Sequence, residues 1–356
     1  MKTPRISAIG TACPDIYMTQ HDVLAFYREN DLMPANQRAL YEALLSDGPV
    51  QGRYFGVNEP ADVINESVDA KSERYAKQAR KLAAEASKSA LKEAGISSED
   101  VAGLVVSSCT GYLCPGLTSY IAEDLDFSPY VKVVDVMGMG CGSAVPNLEC
   151  GCGMLERTGG QSVLCVAVEV CSATHFMDDD PGLTVSNCIF GDGAAAVVLQ
   201  DSGDHDNDSA GPTVIDFETG IFPEHREALR YRMDGGHLRN TLSPRVPVIG
   251  AQCLEKVTSR LLKRHGLELS DISWWAVHAG GKRVLDQVDK RFGFRNGELA
   301  VSREVFATYG NMSSPTSLFV FRELLNRNAV KGAGLLLAFG AGFTAFAALI
   351  TAEGKQ

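Results

Sequence analysis

With 356 residues, 45% hydrophobic and 22% charged, the chain carries enough apolar mass for one large packed core or two fused halves. Its 33 Lys and Arg against 44 Asp and Glu give a net charge of -11, and no basic cluster with interleaved aromatics occurs, which argues against nucleic acid as a partner. Residues 1–14 lack a charged segment leading into a long apolar run, and the most apolar stretch, residues 334–350, is broken by three glycines, so neither export nor membrane insertion is expected.

In chain order, alanines and leucine recur at helical spacing over residues 75–94 and the pattern stops at Gly95, predicting an amphipathic helix with a glycine C-cap. A buried strand is expected over 101–107. A second apolar strand, 131–136, runs into Met137-Gly-Met-Gly, with Cys141 next and a helical pattern after it. The stretch Phe190-Gly-Asp-Gly-Ala-Ala-Ala-Val-Val-Leu reads as a glycine turn between apolar strands, and the polar residues 201–212 read as a solvated loop. The grammar then returns: a helix over 251–265 stops at Gly266, and an apolar strand over 272–277 ends at His278. Asn311 sits in Tyr309-Gly-Asn-Met-Ser-Ser-Pro, a turn leading into a helix over 316–326.

Two echoes point to an internal duplication. Gly95-Ile-Ser-Ser-Glu-Asp-Val matches Gly266-Leu-Glu-Leu-Ser-Asp-Ile, and the Phe190 turn resembles Phe339-Gly-Ala-Gly-Phe-Thr-Ala-Phe-Ala-Ala. Alternating helices and apolar strands predict mostly parallel sheets covered by helices, divided into halves 1–205 and 206–356, with the site between them.

The ten cysteines follow no paired CxxC spacing, so no metal site is expected, and several lie in apolar runs as reduced core thiols suited to a cytoplasmic compartment. Cys141 differs because a strand, a glycine turn and a helix would aim its sulfur at open space, with the helix N-terminus favouring the thiolate. Singly, each residue has an ordinary reading: Cys141 as a small packing residue, His278 as a hydrogen-bonded strand terminus, Asn311 as a helix cap. Together they fit a Claisen condensation, which needs a thiolate to hold an acyl chain and donors to stabilise a thioester enolate, with no carboxylate nearby to oppose that charge.

Cys141 in Met-Gly-Cys-Gly-Ser-Ala, Cys188-Ile-Phe190-Gly-Asp-Gly, His278-Ala-Gly-Gly with Leu285-Asp-Gln, Tyr309-Gly-Asn311-Met-Ser-Ser and Ala338-Phe-Gly-Ala-Gly together resemble the type III polyketide synthases, the chalcone and stilbene synthase superfamily. The resemblance covers roughly residues 75–350. It implies an α/β thiolase-like fold with a five-layered αβαβα core, a homodimer, and a catalytic triad of Cys141, His278 and Asn311. It also implies an acyl-CoA starter extended by malonyl-CoA, with CoA thioesters as substrates and no metal or organic cofactor. Phe190 matches the aromatic gate, while Cys109, Cys171, Thr174, Ser186, Cys188, Gly236 and Ser313 match or neighbour cavity positions. The CoA-binding basic helix is poorly matched, leaving Arg38, Arg53, Lys282 and Arg283 as candidates. The segment 113–116 matches the one that crosses the dimer interface.

Three other readings share parts of this pattern. A ketoacyl-acyl carrier protein synthase III shares triad and fold but makes one condensation. A hydroxymethylglutaryl-CoA synthase would carry a Glu near Cys109, and no acid lies between Ser107 and Pro115. A non-catalytic thiolase-fold binding protein would be expected to have lost a triad member, and none is lost. Small side chains at Cys109, Cys171, Ser186 and Cys188 suggest room for a medium or long fatty acyl starter, giving alkylpyrones or alkylresorcinols, with malonyl-primed tetrahydroxynaphthalene second.

Overall fold

A computed structural model describes residues 3–201 and 211–352. Strands β1 (Pro4–Ala12) and β2 (Ile16–Thr19) precede helices α1 (Gln20–Glu29) and α2 (Arg38–Asp47), strand β3 (Gly52–Phe55) and the long helix α3 (Val68–Ala94). Then follow β4 (Val101–Ser108), α4 (Leu117–Asp124), β5 (Lys132–Met137), α5 (Ala144–Arg157), β6 (Ser162–Val170), α6 (Pro181–Ile189) and β7 (Asp192–Asp201). The remainder comprises β8 (Thr213–Ile221), β9 (Leu229–Asp234), β10 (His237–Leu242), α7 (Val246–His265), β11 (Trp274–Val277), α8 (Lys282–Phe292), α9 (Ala300–Tyr309), α10 (Pro315–Asn326), β12 (Gly332–Gly340) and β13 (Thr344–Ala352).

Nine strands form one sheet system in the order β11-β12-β13-β8-β1-β7-β6-β4-β5. Its two parts meet at β1 and β8 through a single residue pair, Arg5 with Thr213, beside an Ile6 N–H to Pro212 carbonyl bond of 2.8 Å. The expectation of mostly parallel pairing is corrected. Among the described strands, only β4 with β5, β4 with β6 and β11 with β12 pair in parallel, because direct returns such as β12 to β13 reverse the chain.

Three apolar clusters build the layers. The central one joins both sheets to the inner helices α5 and α10, through Val105, Ala195, Leu148, Phe321, Ala338 and Phe346 among others. A second packs α3 and α4 on the outer face of the first sheet, and a third packs α7 and α8 on the outer face of the second. The result is a five-layered αβαβα, thiolase-like fold. The duplication is visible in its joints: α3 and α7 end at Gly95 (φ 67°, ψ 29°) and Gly266 (φ 66°, ψ 26°), and each then makes a 3-10 turn into its strand, β4 or β11.

Several bounds differ from the sequence reading. Helix α3 begins at Val68, where the Ser67 hydroxyl accepts from the Ala70 N–H at 3.1 Å, because its polar first two turns carry no apolar stripe. Phe190 follows helix α6 rather than a strand. The expected boundary at residues 205 and 206 lies outside the described residues. Among those described, no helix is long and apolar enough to cross a membrane.

Candidate active site

Cys141 lies in a 3-10 turn, Gly140–Gly142, immediately before α5, with Gly138 and Gly140 at φ 80° and 60°. Backbone meets backbone here: a Cβ at Gly340, the last residue of β12, would lie 2.0 Å from the Met139 carbonyl oxygen. Glycine at 340 therefore lets the Cys141 turn of one half rest on the second half's strand end.

His278 continues the pairing of β11, donating its backbone N–H to the Leu337 carbonyl at 2.8 Å. Its ring stands edge-on to Phe339, with centroids 6.3 Å apart. Burial, with only 2% of the residue exposed, pulls the imidazole down to about 4, and Nδ1 has no hydrogen-bond partner. A Cβ at Gly280 would lie 3.2 Å from Nε2 and crowd the ring.

Asn311 is fixed from all sides. Its backbone N–H donates to the Ile189 carbonyl at 2.8 Å, its carbonyl accepts from Gly191 at 3.1 Å, and it pairs with Phe190 in a one-residue parallel bridge. The side-chain amide donates to the Gly280 carbonyl at 3.2 Å and its oxygen accepts from the Ser313 N–H at 2.8 Å. Asn311 thus ties Phe190, the expected gate residue, to the loop that carries His278. The Ser313 hydroxyl in turn lies between two acceptors, Glu169 Oε1 at 3.3 Å and Cys141 Sγ at 3.4 Å, so Cys141 meets the Asn311 segment through Ser313, and that segment meets the His278 loop through Gly280.

A carboxylate also sits there, against expectation. Glu169, on the wholly buried strand β6, accepts from the Cys109 and Thr110 N–H groups (2.9 and 3.1 Å), the Thr110 and Ser314 hydroxyls (2.9 and 2.7 Å) and the Cys109 thiol (3.2 Å). Burial pushes its carboxyl up, which favours the neutral form. The expected low thiol value is corrected as well: burial pushes Cys141 up to about 11, outweighing the downward pull of the Ser313 hydroxyl.

Two cavities adjoin this centre. The larger, about 490 Å³, is lined by Cys109, Gly236, Tyr75, Tyr231, Lys71 and Ala341. The smaller, about 50 Å³, has Cys171, Thr174, Ser186, Phe190, Arg53 and Tyr27 in its lining. Ser313 lies between Cys109 and Cys141, its Oγ 3.4 Å from each sulfur. Cys188 lines neither cavity. It is fully buried beside Leu24, Tyr41 and Leu45, because its position on α6 faces the α1 and α2 packing.

Arg53 is also corrected. It is 1% exposed and donates to the Gln20 side-chain oxygen (3.0 Å) and to the Asn187 and Phe190 carbonyls (2.8 and 2.7 Å), so no CoA phosphate at the surface can reach it. Arg38 is exposed and paired with Asp31 at 2.7 Å. Lys282 and Arg283 open α8, four and five residues past His278, both exposed, with Lys282 paired to Asp286 at 2.9 Å. Among the described residues no group of three or more His, Cys, Asp or Glu is placed to hold a metal ion.

Residues 3–202 match the family model "Chalcone and stilbene synthases, N-terminal domain" and residues 217–352 the corresponding C-terminal domain. The chain belongs to the chalcone and stilbene synthase family. It is 32% identical over 357 residues to the 3,5-dihydroxyphenylacetyl-CoA synthase of Streptomyces toyocaensis, covering 98% of this chain and 90% of that protein. It is also 32% identical over 373 residues to the bisdemethoxycurcumin synthase of Oryza sativa subsp. japonica, covering 98% and 92%. The crystal structure of the 1,3,6,8-tetrahydroxynaphthalene synthase of Streptomyces coelicolor A3(2) superposes with a TM-score of 0.89 at 23% identity, covering 98% and 99% of the two chains. The chain is thus a type III polyketide synthase, an enzyme of the acyltransferase kind.

Two residues near the centre of this polyketide synthase escaped the sequence reading. Glu169 left one signal, an acid one residue before the end of a strand otherwise without charge. Tyr231, which lines the larger cavity with Cys109, left none, because it is brought there by the β9–β10 hairpin.

Proposed function

We propose that this enzyme loads an acyl group from CoA onto Cys141 and extends it repeatedly with malonyl-CoA, cyclising the product to a pyrone, resorcinol or related aromatic. The observation that carries this reading is the convergence at Ser313 and Gly280: the first ties Asn311 to Cys141, the second ties Asn311 to the His278 loop. With a neutral imidazole and a thiol at rest, Cys141 becomes the nucleophile by giving its proton to His278 as the thioester arrives; the acyl carbon passes to Sγ, its bond to the CoA sulfur breaks, and CoA leaves as a thiolate that takes a proton from water, so His278 keeps the proton it received. Malonyl-CoA then loses CO2, its C–C bonding pair passes into an enolate, and His278 and Asn311 donate hydrogen bonds to the enolate oxygen. The enolate carbon attacks the Cys141 thioester, and Sγ departs as thiolate, ready for the next transfer. Thiol, imidazole and amide supply every step, so no cofactor is invoked.

The elongating chain would fold in the 490 Å³ cavity past Cys109. Lys282 and Arg283 remain the CoA candidates nearest His278 in sequence, with Arg38 more remote. A homodimer is supported by an apolar edge: β5 ends the sheet and exposes Val133, Val134 and Met137, next to exposed Met139 and Tyr112. Ten free thiols fit a reducing cytoplasm.

The test is incubation with malonyl-CoA and a panel of acyl-CoA starters, reading products by mass. Masses of two or more extensions on one starter support the reading. A single condensation product would move the enzyme to the ketoacyl synthase III type, and no turnover to a binding protein. Sedimentation of a fully active monomer would overturn the dimer.

A further inference from the structure

The Ser313 hydroxyl has a single proton and three acceptors for it. Glu169 Oε1 lies 3.3 Å from its Oγ, and the sulfurs of Cys141 and Cys109 each lie 3.4 Å away. Cys109 competes least: it stays a thiol, held by the same Glu169 oxygen at 3.2 Å, and a thiol sulfur is a weak acceptor, whereas Cys141 must become a thiolate. The proton therefore goes to Glu169 or to Cys141, and no step of the proposed condensation uses Glu169.

Glu169 has no cation to hold its charge. Among the described residues its partners are the Cys109 and Thr110 N–H groups, the hydroxyls of Ser108, Thr110, Ser313 and Ser314, and the Cys109 thiol. Across the sheet it faces Gly193 of β7, and the nearby Asp192 is taken by Ser172 and the Gly56 N–H. The titratable groups that feel its charge are Tyr75 on α3, Cys109 after β4, Cys141 before α5 and Cys171 after β6; burial raises each of them and the Glu169 charge adds to it. Burial pushes the Glu169 carboxyl up and its donors pull it back, while burial carries Cys141 further, to about 11, so Glu169 gives up its proton first as pH rises.

Building on the reading of Cys141 as the nucleophile, we propose that Glu169 is a positioning residue for it, acting through Ser313: as the neutral acid it donates to Ser313 Oγ and sends the Ser313 proton to Cys141, and as the carboxylate it draws that proton to itself. In the first arrangement the line runs from Glu169 O–H to Ser313 O–H to the Cys141 thiolate. In the second it runs from Cys141 S–H to Ser313 O–H to the Glu169 carboxylate. Two protons each move one place between them, and the net charge is the same in both. An anion on Glu169 thus weakens the thiolate twice, by withdrawing its donor and by repulsion between like charges. Held neutral, the same residue adds a donor and no opposing charge, which makes an acid compatible with a centre that generates an enolate.

The test is the pH profile of Cys141 alkylation by iodoacetamide, from about pH 6 to about pH 10, mapped by peptide mass, a readout that needs no turnover. Glu169→Gln keeps the shape and cannot ionise, so its profile should move to lower pH by about one unit, making alkylation at pH 8 about tenfold faster than in the wild type. In a Ser313→Ala background the same change should gain less than about threefold, since only the repulsion is left to remove. Should Glu169→Gln fail to fold, Ser314→Ala removes the 2.7 Å donor that pulls the carboxyl down, keeps Glu169 neutral to higher pH and should quicken alkylation at pH 8 a few-fold. An unchanged or slower profile in the variant that folds overturns the proposal. So does a tenfold gain that persists without Ser313, which would make the effect one of charge alone. Loading by a panel of acyl-CoA starters is followed alongside. If starters load and the alkylation profile does not move, only this inference falls; if none loads Cys141 while the profile moves as expected, the polyketide reading falls and the Ser313 relay stands.

Discussion

The first residue past β4 and the first residue past β11 sit on duplicated frames and have opposite fates. Cys109 is saturated: its N–H and its thiol both reach Glu169, and Ser313 Oγ is 3.4 Å away. His278 is left open: its backbone is paired to β12, but Nδ1 has no partner and Nε2 faces only the space that Gly280 leaves. The duplication supplies two rigid strand ends at the same depth, and hydrogen-bond saturation decides which is structure and which is left for substrate. By the same measure Cys141, with one side-chain donor at 3.4 Å, is the thiol the proposal makes reactive, and Cys109 the one it makes a wall.

The sharpest way to break this distinction is to ask which sulfur carries the acyl group. Cys141→Ala should remove acyl-enzyme and lower product formation by more than about 10³-fold, read by intact-protein mass and product yield. Full product with acylation at Cys109 would reverse the assignment. The next effect tests the open strand end. His278→Ala and Asn311→Ala should each lower malonyl-CoA decarboxylation by roughly 10²–10³-fold while Cys141 still loads from the starter, because the donors serve the enolate. Loss of loading with decarboxylation intact would show that they serve the thiol instead.

A smaller effect probes the joint between the halves. In Gly340→Ala the new methyl would meet the Met139 carbonyl at 2.0 Å, so the turn holding Cys141 must shift. Melting should report a loss of about 1–3 kcal/mol, accompanied by slower loading. An unchanged Tm with unchanged loading would show that the nucleophile turn does not depend on the second half.

Much of this frame was legible. Glycine stops at Gly95 and Gly266 marked the duplicated helix ends, because a left-handed cap favours glycine, and the motifs around Cys141, His278 and Asn311 carried the family. The early turns of α3 were not, since Ser67 caps a polar segment that periodicity cannot register. Arg53 was misassigned because sequence does not reveal burial, and an arginine is read as surface by default. Cys188 and Ser186 stand two residues apart on α6, so one faces the α1 and α2 core and the other the small cavity, a difference set by helical phase. Glu169 and Tyr231 reach the centre from separate strands, and only the tertiary fold brings them together.

The finest effect concerns charge at rest. Burial pushes Cys141 up to about 11 and pulls His278 down to about 4, so at neutral pH the pair is thiol and imidazole, with neither group charged. A raised thiol value means that the thiolate grows only as pH rises. The rate of iodoacetamide inactivation should therefore climb steadily through pH 7 and beyond, with no plateau below the ~8.5 of a free cysteine. A plateau near pH 6 would reveal a resting thiolate–imidazolium pair. Ser313 refines the test, because its hydroxyl donates to Sγ and pulls the thiol value down. Removing that donor in Ser313→Ala should move the profile to still higher pH and slow alkylation at pH 8 by a few-fold, the weight of one weak hydrogen bond of roughly 1 kcal/mol. The same change also frees Cys109 from its 3.4 Å neighbour, yet Glu169 still holds that thiol at 3.2 Å, so labelling mapped by peptide mass should stay on Cys141. A shift of label to Cys109 would mean that Ser313, and not saturation by Glu169, is what keeps the two sulfurs apart in role.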